Sequence, residues 1–345
     1  MGQPVTAPSP RAGGVVNSEQ LALRSSVRAL LAKHSDVRKA MELPRGHDPD
    51  LWLRLCDIGV LPIPAEYGGS GASLAETHIV LEELGRTLTP SPLLGATIAV
   101  QALLATGNDE ACRRLLPGIA AGTTLAALVS SDASERDAQG HRSTQTSRSL
   151  VLDGDVADVL LVADGSSLFE VSPDQPGVSR VHTPTMDPTR RLARITLTGP
   201  ARTRLGPAPD LGHVALAALA AEQVGAAARC LELTVSYTKG RVQFGRPIAS
   251  FQALQHRMAD LHVLVETARS AALAATDPVS AAVAKVYCSE AFSKVAAEMI
   301  QLHGGIAITW EHDAHLYFKR AHGSAQLFGS PAEHVRRLTA MLQPA

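Results

Sequence analysis

From about Ser18 to Gly122, apolar residues recur three and four positions apart, which is the spacing of helices packed on one face. In "SEQLALRSSVRALLAK" the stripe is Leu21, Val27, Leu30 and Leu31, with Ser18 as the expected N-cap. "PDLWLRLCDIGVLPIP" predicts a second helix stopped at Gly59, because glycine takes the left-handed conformation that ends helices. "LAETHIVLEELGR" predicts another, expected to stop at Gly85, and "DEACRRLLPGIAAG" closes the region.

The pattern changes between about Thr123 and Gly206. "TLAALVS", "SLVLDG", "DVLLVA", "SLFEVS" and "RLARITLTG" are short, β-rich and separated by Gly, Pro, Asp and Ser. In the last of these, Ala193, Ile195 and Leu197 alternate with Arg194, Thr196 and Thr198, the period of a half-buried strand. A small antiparallel β-domain is expected here. From about Pro209 onward the helical pattern returns in longer elements. "LGHVALAALAAEQVGAAARCLELTVSYTKGR" is interrupted only by Gly225, and its small residues allow close helix packing. "SFQALQHRMADLHVLVETARSAALAA" follows, with Ser250 as the expected cap. In "SAAVAKVYCSEAFSKVAAEMIQLHGG" the expected stripe is Val283, Tyr287, Ala291, Val295, Met299 and Leu302, ended by Gly304-Gly305. "SAQLFGSPAEHVRRL" opens a terminal amphipathic helix with Val335 and Leu338 on one face. At least four helices make an antiparallel bundle the natural solution.

Composition narrows the function classes. The 345 residues can bury a large core, and 32 basic against 33 acidic residues favour neither nucleic acid nor an anionic membrane. Cys56, Cys112, Cys230 and Cys288 are far apart in apolar helical contexts, so buried free thiols and a cytoplasmic location are expected. His303, His312 and His315 are too irregularly spaced to suggest a metal site, and none is expected. "MGQPVT" matches the permissive myristoylation pattern without polybasic support and is taken as chance. No apolar run reaches the roughly 20 residues that span a bilayer.

Two segments carry candidate chemistry. "GRVQFGRPIASFQ" joins two bundle helices and offers Arg241, whose planar fork suits a pyrophosphate, and Gln252, which can both donate and accept. "QLHGGIAITWEHD" ends a helix on two glycines, which either cap it or let a ligand approach the backbone. Taken singly, each reads equally well as an ordinary turn.

In this order, with "LCDIGVLPIPAEYGGSGASLAETHIVLEELGR" before them, the segments resemble the acyl-CoA dehydrogenase family from about residue 18 to residue 345. The resemblance implies a mainly α fold with a small β-domain. Its parts would be a tail at 1–17, an N-terminal helical domain at 18–122, a middle antiparallel β-domain at 123–206 and a C-terminal four-helix bundle at 207–345. It implies FAD, shared between subunits, and oxidation of acyl-CoA thioesters to 2,3-enoyl-CoA. In the family a glutamate takes the α-proton and flavin N5 takes the hydride. Arg241, Phe244, Gln252, Gln301, Gly304 and Gly305 match the family's grip on a neighbour's cofactor.

Other parts of the family pattern are missing. The turn beside the flavin falls in "VSSDASERD", and the Trp-Ile-Thr segment has no counterpart in "VLDGDVADVLLVA". The catalytic glutamate aligns with Phe328 of Phe328-Gly329-Ser330, and the family's alternative site for it aligns with Ala215, near His213. No catalytic residue is therefore expected in this chain. The resemblance is to the non-catalytic subunit of heteromeric actinobacterial, sterol side-chain type enzymes. It implies an α2β2 complex with a catalytic paralogue, an acyl-CoA substrate of steroid type and an electron-transfer acceptor. Two alternatives stand beside it: a homomeric enzyme with a relocated base such as Glu311, and a flavin-free structural or interaction protein.

Overall fold

A computed structural model describes residues 17–130 and 145–342. Six helices come first: α1 (Ser18–His34), α2 (Val37–Glu42), α3 (Pro49–Ile58), α4 (Leu74–Thr87), α5 (Leu93–Ala105) and α6 (Asp109–Ala120). The N-cap of α1 is Asn17 rather than Ser18: its side chain accepts from the Gln20 amide at 2.8 Å, and Gln20 reaches back to close a capping box. Gly59 ends α3 in the left-handed conformation, as expected.

Gly85 does not end α4. The helix runs on to Thr87, and Leu88 supplies the left-handed cap. Gly85 instead serves packing: a Cβ there would lie 2.0 Å from the Glu222 carbonyl oxygen. Gly225 does the same from the opposite side, where a Cβ would lie 1.8 Å from the Glu82 carbonyl oxygen. The two backbones therefore cross in direct contact, which only glycine allows.

Strands β1 (Ala126–Ser130), β3 (Val159–Asp164), β4 (Ser167–Val171) and β7 (Thr203–Pro207) form one sheet in the order β1-β3-β4-β7. A second sheet has the order β2-β6-β5, from β2 (Gln145–Leu152), β6 (Leu192–Thr198) and β5 (Val178–His182). The expected antiparallel domain needs one correction: β1 and β3 pair in parallel, with Ala126 opposite Val159. Ala193, Ile195 and Leu197 point inward as their alternation predicts and pack with Val129, Leu160 and Val162 of the other sheet. Strand β2 carries a bulge between Arg148 and Val151, where Leu150 sits at φ 63°.

The bundle consists of α7 (Gly212–Gly240), α8 (Gln252–Leu273), α9 (Pro278–His303), α10 (Ala314–Gln326) and α11 (Pro331–Leu342), with a two-residue hairpin, β8 (Val242–Gln243) and β9 (Arg246–Pro247), after α7. By length and composition α7 could cross a bilayer, but 83% of its apolar window is buried inside the fold, where it is the central core helix. Ser250 is not the cap of α8. Its hydroxyl donates to the Pro247 carbonyl in a preceding 3₁₀ turn, and the N-cap position falls on Phe251.

The α9 stripe is buried from Ala291 to Leu302 but emerges at Val283; the inward face there is Ala281, Ala284, Lys285 and Cys288. On α11 the buried residue is His334, with Val335 turned to solvent. All four cysteines are buried free thiols.

Candidate functional site

Between the middle domain and the bundle lies a cavity of about 600 Å³, where the end of β1, the bulge of β2, the start of α7 and the α10–α11 turn converge. Ala215 and Phe328 both line it. The two positions at which the family pattern would place a base thus face one space, and neither is a carboxylate. His213 and Glu311 are not among the lining residues.

The turn that carries Phe328 is held from three sides. α10 ends at Gln326, Leu327 extends, and Phe328 (φ 60°) and Gly329 (φ 96°) reverse the chain in the left-handed region. Lys285, with 0% exposure, donates from Nζ to the carbonyls of Ser324 (2.6 Å) and Ala325 (3.1 Å). It thereby satisfies carbonyls that the end of a helix leaves without partners. Burial, and then the nearby Arg190, lower its pKa to about 7. From α11, His334 Nε2 donates to the Phe328 carbonyl at 3.0 Å; burial lowers the pKa of this imidazole.

Two acids do line the cavity, and each is engaged elsewhere. Asp210, exposed at the rim, accepts from the Gly212 amide at 3.0 Å. Glu333 accepts from the Ser330 amide (2.7 Å) and hydroxyl (3.0 Å), which caps α11 and lowers its pKa. A carboxylate held in its charged form this way is a weak base.

The six residues matched to the cofactor grip lie elsewhere. α7 and α9 end side by side, joined by Tyr237, whose hydroxyl donates to the His303 carbonyl at 3.1 Å and whose ring stacks on His303 at 4.2 Å. Arg241 caps α7, and the hairpin turns through Phe244 (φ 52°) and Gly245 (φ 76°). Phe244 is 92% exposed, edge-on to Phe251 at 6.1 Å, with Arg246 stacked over Phe251 at 4.0 Å. Gln252 opens α8, whose first amides have no side-chain cap and so present the positive end of the helix. Gln301, Gly304 and Gly305 are exposed, and no atom lies within 4 Å of where a Cβ would stand on either glycine.

This end fits the nucleotide portion of FAD: a guanidinium and free amides for the pyrophosphate, two side-chain amides, an aromatic face and two open glycines. Ala215 and Arg241 are 26 positions apart along α7 and its cap, roughly 39 Å at the helical rise. That is farther than the two ends of one FAD molecule can bridge, so the grip faces away from this chain's own cavity.

The middle domain fits the flavin ring poorly. Its contributions to the cavity are Leu128, Ser130, Arg148, Leu150, Val151, Leu152, Ala163 and Leu168. Arg148 is already bonded to the Ser130 carbonyl at 2.9 Å. "VLDGDVADVLLVA" supplies the end of β2, a turn and most of β3, without an aromatic or hydroxyl side chain. Most of "VSSDASERD", from residue 131 on, lies outside the described residues.

Residue-pattern reasoning missed the buried ionic network that ties the bundle to the middle domain. Glu222 of α7 pairs with Arg190 (2.7 Å) and with Arg320 of α10, and Arg320 Nε also lies 2.9 Å from Asp187. It also missed Lys285, although Ala281, Ala284 and Cys288 around it mark the inward face. Asp153, next to the network, has its pKa pushed up to about 7 by burial. His303 and His312 lie 4.7 Å apart, but among the described residues no three His, Cys, Asp or Glu side chains group as metal ligands.

Against known families, the acyl-CoA dehydrogenase N-terminal domain matches residues 17–123 and the acyl-CoA dehydrogenase C-terminal domain matches residues 214–341. The chain belongs to the acyl-CoA dehydrogenase family. Acyl-CoA dehydrogenase IpdE2 of Mycolicibacterium smegmatis is 47% identical over 336 residues, covering 94% of this chain and 99% of that protein. IpdE2 of Mycobacterium tuberculosis is 49% identical over 329 residues, covering 93% and 96%. Among solved structures, a variant of the Tcur3481-Tcur3483 steroid ACAD superposes with a TM-score of 0.84 at 29% identity, covering 95% of this chain and 98% of that one. The ChsE4-ChsE5 complex from Mycobacterium tuberculosis gives 0.86 at 26% identity, covering 96% and 99%. The family binds FAD and oxidises CH–CH bonds, and the helical, β and helical order of this chain is the family fold.

Proposed function

We propose that this chain is the non-catalytic subunit of a heteromeric, cytoplasmic, FAD-dependent acyl-CoA dehydrogenase. The observation that carries the reading is the contrast along α7. Ala215 and Phe328 leave the cavity without a base, while roughly 39 Å away the bundle holds an outward-facing nucleotide grip. In the assembly, FAD bound at a subunit interface accepts the hydride taken from the β-carbon of the acyl thioester. A glutamate of the partner takes the α-proton.

This chain's residues bind and orient. Arg241 and the first amides of α8 hold the pyrophosphate, Gln252 and Gln301 hydrogen-bond the adenosine portion, Phe244 packs against it, and Gly304-Gly305 admit it close to backbone. The partner is a catalytic paralogue in an α2β2 arrangement with one flavin per pair of subunits, which passes its electrons to an electron-transfer acceptor. Two solved relatives whose titles pair two chains, one of them called a steroid ACAD, support a heteromeric assembly and a steroid acyl-CoA substrate. Co-expression with a glutamate-bearing paralogue, followed by activity and flavin assays, tests this. Turnover by the purified chain alone would overturn it.

A relocated base at Glu311 is the less favoured reading, since Glu311 is exposed and away from the cavity lining. Glu311→Gln abolishes turnover only if that reading holds. A flavin-free role is excluded by a yellow complex that Arg241→Ala bleaches.

A further inference from the structure

Just beyond Gly304-Gly305 the chain exposes a run of large apolar side chains. Ile306, Ile308 (73% exposed) and Trp310 (62% exposed) stand on a 3₁₀ segment, Gly304–Ile308, and the turn after it. The segment is locked rather than loose. The Thr309 amide and hydroxyl both donate to the Ile306 carbonyl, at 3.1 and 2.9 Å. The indole rests edge-on against the His315 ring at 4.5 Å. The exposure therefore belongs to a fixed surface, and a rigid solvent-facing Trp is the residue type most enriched at binding hot spots.

The charges around the indole are one-sided. Arg38 lies 5.9 Å from the ring centroid and Lys319 4.9 Å. Arg38 is paired with Asp313 at 2.6 Å, whereas among the described residues Lys319 has no acidic partner. Beneath the indole, His315 is 8% exposed, and its Nε2 is buried with no hydrogen-bond partner. Glu311, the neighbouring acid, is exposed. An apolar knob beside an unpaired ammonium and an unsatisfied imidazole nitrogen is complementary to an apolar surface that carries a carboxylate.

We infer that Ile308, Trp310 and Lys319 form a docking surface for the flavin-bearing partner subunit, filled by an apolar segment of that subunit with a carboxylate set against Lys319. The inference rests on the heteromeric reading above. It adds that the two chains are held together next to the nucleotide grip by contacts that do not touch the nucleotide. Continuity along the chain is the reason for choosing this occupant: the knob starts one residue after the glycine that admits the cofactor, so whatever supplies the flavin also covers the knob.

The test is association of this chain with the purified flavoprotein subunit that completes the enzyme, measured by titration, with flavin absorbance read on the same samples. Trp310→Ala is expected to weaken association about thirtyfold, the scale of a hot-spot residue. Lys319→Glu is expected to weaken it about tenfold, and at saturating concentrations both variants keep the wild-type flavin content per complex. Both positions are solvent-facing, and circular dichroism of each variant checks that it is folded. If both variants associate within twofold of wild type, the surface is wrong while the heteromeric reading stands. If the wild-type chain does not associate at all, that reading fails and takes the surface with it. If Trp310→Ala instead breaks up a complex of this chain with itself, the occupant is a second copy and the assignment to the flavoprotein subunit is wrong.

Discussion

The two ends of α7 treat their polar groups in opposite ways. At the cavity end, each group that could act on a ligand is already committed to the protein: Lys285 to α10 carbonyls, His334 to the Phe328 carbonyl, Glu333 to Ser330. At the outer end, Arg241, Gln252 and Gln301 are exposed, and Phe244 is almost wholly in solvent. Groups satisfied internally hold a fold together, whereas a fixed arrangement of unsatisfied ones is built for something outside the chain. The residues that would perform chemistry are gone from the first end, and the residues that would hold a cofactor remain at the second.

The largest expected effect breaks the link between the two ends. Gly225→Ala forces a methyl group into the α4 backbone and should cost about 3 kcal/mol or more of stability in urea unfolding. Gly240→Ala, with nothing within 4 Å of its Cβ, should stay within about 1 kcal/mol of wild type and serves as the control.

Next comes Arg241→Ala, assayed in the complex. Loss of charge-assisted bonds to a pyrophosphate should weaken FAD binding about ten- to a hundredfold by absorbance titration. An unchanged affinity would remove the outer end from the cofactor site.

A smaller, pH-dependent effect probes the cavity end. Lys285 has a folded pKa depressed to about 7, below its unfolded value, so between pH 7 and roughly 10 the unfolded chain binds more protons and stability rises with pH. The rise should reach about 1 kcal/mol between pH 7 and 8. Lys285→Met should flatten it, and an identical slope in the variant would show that Lys285 is not its source.

The smallest effect is expected from Phe328→Leu, which stays apolar in the same turn. Stability should change by less than about 1.5 kcal/mol, and the turnover of the complex should stay at wild-type level in an enoyl-CoA assay. A tenfold fall in rate would mean that the Phe328 turn takes part in catalysis.

Much of this was legible from residue pattern where the signal is local. α7 is an almost unbroken run of helix formers, and strand β6 alternates cleanly between the core and solvent. Gly85 was misleading because a helix-ending glycine and one that admits a neighbouring backbone look identical until the partner, here Glu222 of α7, is known. The parallel β1–β3 pairing was hidden for a related reason: register between distant strands leaves no local mark. β5 (VSRVH) and β7 (TRLGP) escaped notice because both are half-exposed edge strands without an apolar run.

In the site, the cofactor grip was readable because its residues are contiguous in two motifs. That Ala215 and Phe328 face one cavity was not, since 113 positions separate them and only the packing of α7 against the α10–α11 turn brings them together. Lys285 and the Glu222–Arg320 pair were read past because charges inside helices ordinarily mark the solvent side.

The most direct test of the central claim is the ratio of FAD to protein in the purified assembly, set beside the same ratio for this chain alone. The account predicts one flavin for each pair of unlike subunits and none retained by the isolated chain. A flavin bound by every chain, or a yellow and active preparation of this chain by itself, would contradict it.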